Sequence, residues 1–210
     1  MRADAGVCIW FTGRSGAGKS TVTRALVPLL EDRGRIVTVL DVVPPLAKSW
    51  CERTSEGKLL RKAFVASEVA RHGGIAICVT VSARRQVRDA AREIVGADHF
   101  LEIYTDIPPH VSAARKGART KKPPLLKRVR RAVRRIRSRR RGRDAYEVPT
   151  APDLTIDTVA VPPEDNARAI LDLLTERGFQ RSDGGVGATG GSYGSPASPS
   201  PGAATDDRVG

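Results

Sequence analysis

Apolar residues fall along the chain in short blocks that alternate between a strand-like and a helix-like period. Val7–Thr12 (Val-Cys-Ile-Trp-Phe-Thr) is a continuous β-prone run, the pattern of a strand covered on both faces. Beyond Gly13–Ser20, Val22, Ala25, Leu26, Leu29 and Leu30 share one helical face. They predict a helix from Thr21 to about Asp32, kinked by Pro28 and stopped by Gly34. Ile36–Leu40 predicts a second strand that ends at Asp41. A helix over 57–72, a buried strand over Ile75–Val81 and a polar helix over Arg84–Val95 follow. His99–Thr105 reads as a fourth strand, and Pro108–Arg115 opens another helix. Asp153–Ile156 is a short fifth strand, and Pro163–Arg177 a closing helix. Strands that alternate with helices predict an α/β fold, with a parallel five-stranded sheet between two helical layers.

Composition changes this picture at two places. The net charge of +13 is concentrated: residues 115–143 hold 16 Lys and Arg and no Asp or Glu. The remainder has 20 basic against 23 acidic residues, so a near-neutral domain carries one dense basic insert over 115–145. From Ser182 onward Gly, Ser, Pro and Ala dominate, which predicts a folded domain over 1–180 and a disordered tail over 181–210. No apolar run approaches the ~20 residues of a membrane span. The N-terminus turns straight into the first strand without a signal-peptide pattern. Three cysteines, Cys8, Cys51 and Cys78, are scattered and lack Cys-x-x-Cys spacing. Reduced thiols in a cytoplasmic protein, with no zinc site, are the expectation.

The strongest chemical signal is Gly13-Arg14-Ser15-Gly16-Ala17-Gly18-Lys19-Ser20, which fits G-x-x-x-x-G-K-[ST] at every fixed position. It opens a helix directly after an apolar strand, the context that such a phosphate loop requires. Glycines let the backbone wrap with N–H groups inward, and the helix adds its positive end. Lys19 is then expected to reach the β- and γ-phosphates of a nucleotide, and Ser20 to offer a hydroxyl to Mg²⁺. The expected nucleotide-binding set is Gly13, Arg14, Ser15, Gly16, Ala17, Gly18, Lys19, Ser20 and Thr21. No Asn-Lys-x-Asp string for guanine recognition occurs, which points to ATP. One compact domain with a basic segment late in the chain suits a small-molecule kinase, so the fold class is a P-loop kinase-like three-layer sandwich with a basic lid.

Residues 6–178 also resemble the adenylylsulfate (APS) kinases. The matching strings are Gly6-Val7-Cys8-Ile9-Trp10-Phe11-Thr12-Gly13, Ser15–Thr21, Leu40-Asp41, the arginines Arg85, Arg88 and Arg92, Ala145-Tyr146-Glu147-Val148-Pro149, Pro152-Asp153-Leu154 and Ile156-Asp157-Thr158. The resemblance implies phosphorylation of the 3′-hydroxyl of adenosine 5′-phosphosulfate by ATP with Mg²⁺, and pairing as a homodimer. It also implies an acceptor contact at Arg61. The acceptor-side strings differ. The family's Asp-Gly-Asp reads Asp41-Val42-Val43, its next Arg falls on Leu46, its Ser-Pro-aromatic-Arg reads Ser82-Ala83-Arg84-Arg85, and its lid string reads Arg115-Lys116-Gly117-Ala118-Arg119.

Several residues carry two readings. Asp41 ends a strand beside the phosphate loop, where ligands of open α/β sheets gather, so it serves Mg²⁺ or orients the acceptor hydroxyl, or else caps a turn before Pro44-Pro45. Ser82 aligns with a serine that some family members phosphorylate, giving it a candidate place at the catalytic centre, or it bonds locally at a strand end. Arg85 and Arg88 bind an anionic acceptor or lie on a solvated helix face. Arg115 and Lys116 are candidate lid cations. In the insert, Val129, Ala132, Val133 and Ile136 recur at helical spacing. Residues 127–143 therefore read as an extended lid or loop, or as a contact for a polyanion. Two alternatives to APS kinase activity stay open: a kinase for another alcohol, and a nucleotide-binding module with weakened catalysis that engages a polyanion.

Overall fold

The computed structural model describes residues 5–41, 54–119 and 146–179. The predicted basic helix over 127–143, the tail over 181–210, Cys51 and the side chain of Lys116 lie outside the described residues. Five strands form one parallel sheet: β1 (Val7–Thr12), β2 (Val37–Leu40), β3 (Ile75–Val79), β4 (Phe100–Asp106) and β5 (Leu154–Asp157). Their spatial order is β2-β3-β1-β4-β5, so β1 is central and β2 and β5 are the edges. The helices are α1 (Lys19–Glu31), α2 (Ser55–Arg71), α3 (Arg85–Val95), α4 (Pro109–Arg119) and α5 (Pro163–Glu176).

β1 is apolar throughout because both of its faces are covered. Val7, Ile9 and Phe11 point into one core with Val22, Leu26 and Leu30 of α1 and Ile170 and Leu174 of α5. Cys8 and Trp10 point to the other side, among Ala63 and Ala66 of α2, Ala91 of α3 and Phe100. The large rings sit on the sheet, where Trp10 and Phe100 lie 5.7 Å apart, and the helices opposite contribute alanines. Large against small lets the layers interdigitate at the density of a protein interior.

Element boundaries moved by one or two residues where turn chemistry intervened. α1 starts at Lys19 rather than Thr21, because Gly18 takes the cap position with φ 88°. It continues past Pro28 to Glu31. It then ends at Gly34 in the expected way, with φ 70° and Gly34 N–H donating to Glu31 O at 2.8 Å. β3 stops at Val79, two residues early, because the chain turns through Ser82, the only non-glycine among the described residues with positive φ (31°).

Candidate active site

The loop after β1 is held by its carbonyls. Lys19 Nζ donates to Gly13 O at 2.8 Å and to Arg14 O at 2.9 Å. Ser112 of α4 donates to Ser15 O at 3.0 Å, and Thr158, just past β5, donates to Ala17 O at 2.8 Å. Arg115 of α4 in turn bonds Thr158 through its hydroxyl and its carbonyl, at 3.3 and 3.1 Å. These bonds fix the loop against α4 and the end of β5, at the N-terminus of α1, whose positive end favours an anion. Gly13 is required by its neighbour: a Cβ there would stand 2.8 Å from Thr105 O, with φ at +147°.

The cleft has a volume of about 210 Å³ and is lined by the loop from Ser15 to Thr21, by Asp41, and by Val79, Thr80 and Val81. Two strand ends and the loop thus meet at the carboxyl edge of the sheet, as in other open α/β folds. Lys19 is buried, and that burial lowers its ammonium pKa to about 8 against the opposing pull of Asp41. A polyphosphate supplies the missing counter-charge and lifts the pKa again. Nucleotide binding near pH 9, above the lowered pKa of about 8, is therefore expected to take up close to one proton. Calorimetry in buffers of different ionisation enthalpy reads this uptake, and Lys19→Met is expected to remove it. The same shift implies that the empty protein gains stability as pH rises from 8 toward 10.5, because the unfolded chain holds that proton longer.

Magnesium fits the donor set. The ion takes oxygen ligands, keeps several waters and needs only one or two protein groups. The Ser20 hydroxyl and the Asp41 carboxylate line the cleft together with Lys19. They are the residues that would hold the ion against the phosphates. No cluster of three acidic, His or Cys side chains suited to a metal occurs among the described residues.

The other predicted residues separate. Arg85 stands on the exposed face of α3, 3.6 Å from Asp89. Arg88 does not share that solvated face: its side chain is 2% exposed, its Nε meets Glu102 Oε1 at 2.8 Å, and its Nη1 donates to Ser82 O at 2.8 Å. Arg61 is half-buried on α2. Ser82 is buried and saturated. Its Oγ accepts from Trp10 Nε1 at 3.2 Å and from Thr80 at 2.9 Å, and donates to Thr12 Oγ1 at 2.8 Å. Thr12 also meets the Tyr146 hydroxyl at 2.9 Å. Tyr146 stacks on Tyr104 with centroids 6.0 Å apart and carries the Arg14 guanidinium over its ring at 5.6 Å. Burial pushes its hydroxyl up to about 12, so it stays protonated. Glu147 accepts the first amide of α3 from Arg85 at 2.7 Å. This network lies just behind the phosphate loop, and the pattern of the sequence revealed little of it. Tyr146 and Glu147 stand in a string that the family resemblance marked, whereas nothing in the sequence singled out Glu102 as the partner of Arg88.

Comparison with known proteins decides the family. The adenylylsulphate kinase pattern matches residues 5–157. The chain belongs to this family. It is 33% identical over 186 residues to the adenylyl-sulfate kinase of Halothermothrix orenii, covering 85% of this chain and 95% of that protein. With the adenylyl-sulfate kinase of Paraburkholderia xenovorans it shares 35% over 187 residues, covering 85% and 98%. The structure of the Mycobacterium tuberculosis APS kinase, in complex with AMPPNP and APS, superposes with a TM-score of 0.60 at 26% identity, covering 81% of this chain and 98% of that one. As an adenylylsulphate kinase family member, the protein is an ATP- and Mg²⁺-dependent phosphotransferase with an alcohol acceptor, built on the P-loop kinase fold that its sheet order displays.

Proposed function

We propose that this kinase transfers the γ-phosphoryl group of ATP to the 3′-hydroxyl of adenylyl sulfate. The observation that carries the reading is a complete phosphate cradle, with buried Lys19 and strand-end Asp41 on one cleft, inside a chain that matches the family from residue 5 to 157. In the transfer, the acceptor oxygen forms its bond to the γ-phosphorus as the bond to the β,γ-bridging oxygen breaks, and ADP leaves. Lys19 offsets charge on the phosphates, while Asp41 orients the hydroxyl or accepts its proton. Bound magnesium would screen the β- and γ-oxygens.

A second reading, transfer to a different anionic alcohol, is favoured by one observation on the acceptor side. Arg88, a candidate for the acceptor's charge, is sequestered by Glu102. The two readings part in one assay. Purified protein with ATP and Mg²⁺ is expected to release ADP and form 3′-phosphoadenylyl sulfate only when adenylyl sulfate is added. Release that depends on another alcohol, with none on adenylyl sulfate, selects the second reading.

A further inference from the structure

Lys62 is a buried cation on α2 with no role in the chemistry described above. Lysine is almost never buried without compensation. Its Nζ donates to Asp41 O at 2.7 Å and, more weakly, to Val79 O at 3.3 Å. The first lies just beyond the end of β2 and the second ends β3, the two strands whose tips form one wall of the cleft. The same ammonium is also attracted to the Asp41 carboxylate, one of the influences that partly offset its burial.

The strand that Lys62 grips needs a clamp. β2 is an edge strand of four residues, paired on one side only, and most of it is incompletely buried. Four residues with one neighbour hold a strand end loosely. Asp41 is the residue immediately beyond that end. Packing alone would be met by an apolar residue of the same length. What an apolar residue cannot supply is a tie from α2 to the backbone of Asp41, the one carboxylate among the described residues that line the cleft.

We propose that Lys62 is a positioning residue for phosphoryl transfer: by bonding the strand-end carbonyl of Asp41 it holds that carboxylate toward the metal side of the bound triphosphate. This rests on the assignment of Asp41 to the metal side and is indifferent to which alcohol is the acceptor. It acts through Asp41, as residues behind a metal ligand orient the ligand.

The test measures the affinity of AMPPNP by calorimetry, in Mg²⁺ and in EDTA, and takes the ratio of the two. Wild type is expected to bind more tightly with magnesium. Lys62→Met is expected to cut that gain roughly tenfold or more while leaving the EDTA affinity within about twofold. Lys62→Arg restores most of it. In an Asp41→Asn background, Lys62→Met changes nothing further, because its effect runs through the carboxylate. The proposal is overturned if wild type shows no magnesium-dependent gain, if Lys62→Met keeps the full gain, if it weakens binding equally in both buffers, or if its effect adds to that of Asp41→Asn. Should Lys62→Met fail to fold, Lys62→Gln is read by the same criteria. Absence of adenylyl sulfate turnover leaves this binding cycle readable, so the two proposals fail separately.

Discussion

Alanine at Lys19 is expected to lower kcat/KM for ATP by about 10²–10³-fold while leaving the folded protein as stable as before, or more so. Removing one preorganised donor at the site of developing charge accounts for the loss. The stability expectation comes from the same burial that depresses the lysine pKa to about 8. Its ammonium donates to the carbonyls of Gly13 and Arg14, so the fold carries a buried charge that is stabilised mainly when phosphate arrives. Steady-state kinetics and thermal melting on the same preparation check both halves. A variant that melts much earlier, with activity per folded molecule preserved, would refute the assignment. Function here works against stability, as it commonly does where a site is poised for a ligand.

The second large effect lies behind the site. Arg88→Met is expected to destabilise the domain by about 3–5 kcal/mol, because it leaves Glu102 buried without its closest cation. Arg92, 3.8 Å from the other carboxylate oxygen and also engaged by Asp153, is a poor substitute. The pH dependence identifies the cause. Burial already raises the Glu102 pKa against the attraction of Arg88 and Arg92, so the folded state holds that proton longer than the unfolded chain. Stability from this group is therefore present below the ordinary glutamate pKa and is lost as pH rises through the raised one. Without Arg88 the rise is larger. The gap between wild type and variant, measured by denaturant unfolding, is expected to be widest near pH 7 and to shrink toward pH 4. A gap that is flat with pH would mean that lost packing, not an unpaired carboxylate, is the cause. Arg88→Met combined with Glu102→Leu is expected to recover part of the loss.

What the linear chain shows of this protein divides by the range of the interactions involved. The Gly13–Ser20 loop is legible from sequence because its chemistry is local: eight consecutive residues between a strand and a helix carry both the turn and the ligand groups. The central strands were legible because a parallel sheet covered on both faces favours runs of apolar, β-prone residues, of which β1 is the extreme case. The end of β3 was misplaced by two residues, because the departure depends on Ser82 at φ 31° and on bonds that it makes to Trp10, Thr12 and Thr80.

Charge was the part that the sequence left most open. Arg85 and Arg88 are three residues apart on one helix, yet one is in water and the other is sealed against Glu102. Nothing in their spacing distinguishes them, since the carboxylate that captures Arg88 comes from a strand fourteen residues later. Nothing in the sequence marks Lys62, whose partners are the carbonyls of Asp41 and Val79, 21 and 17 residues away. The sequence by itself determined the alternation of elements, the phosphate loop and the family. Only the tertiary structure decided which cations are buried against a partner and which face water. A buried charge is defined by partners distant in sequence, whereas a turn and a hydrophobic period are written in neighbouring residues.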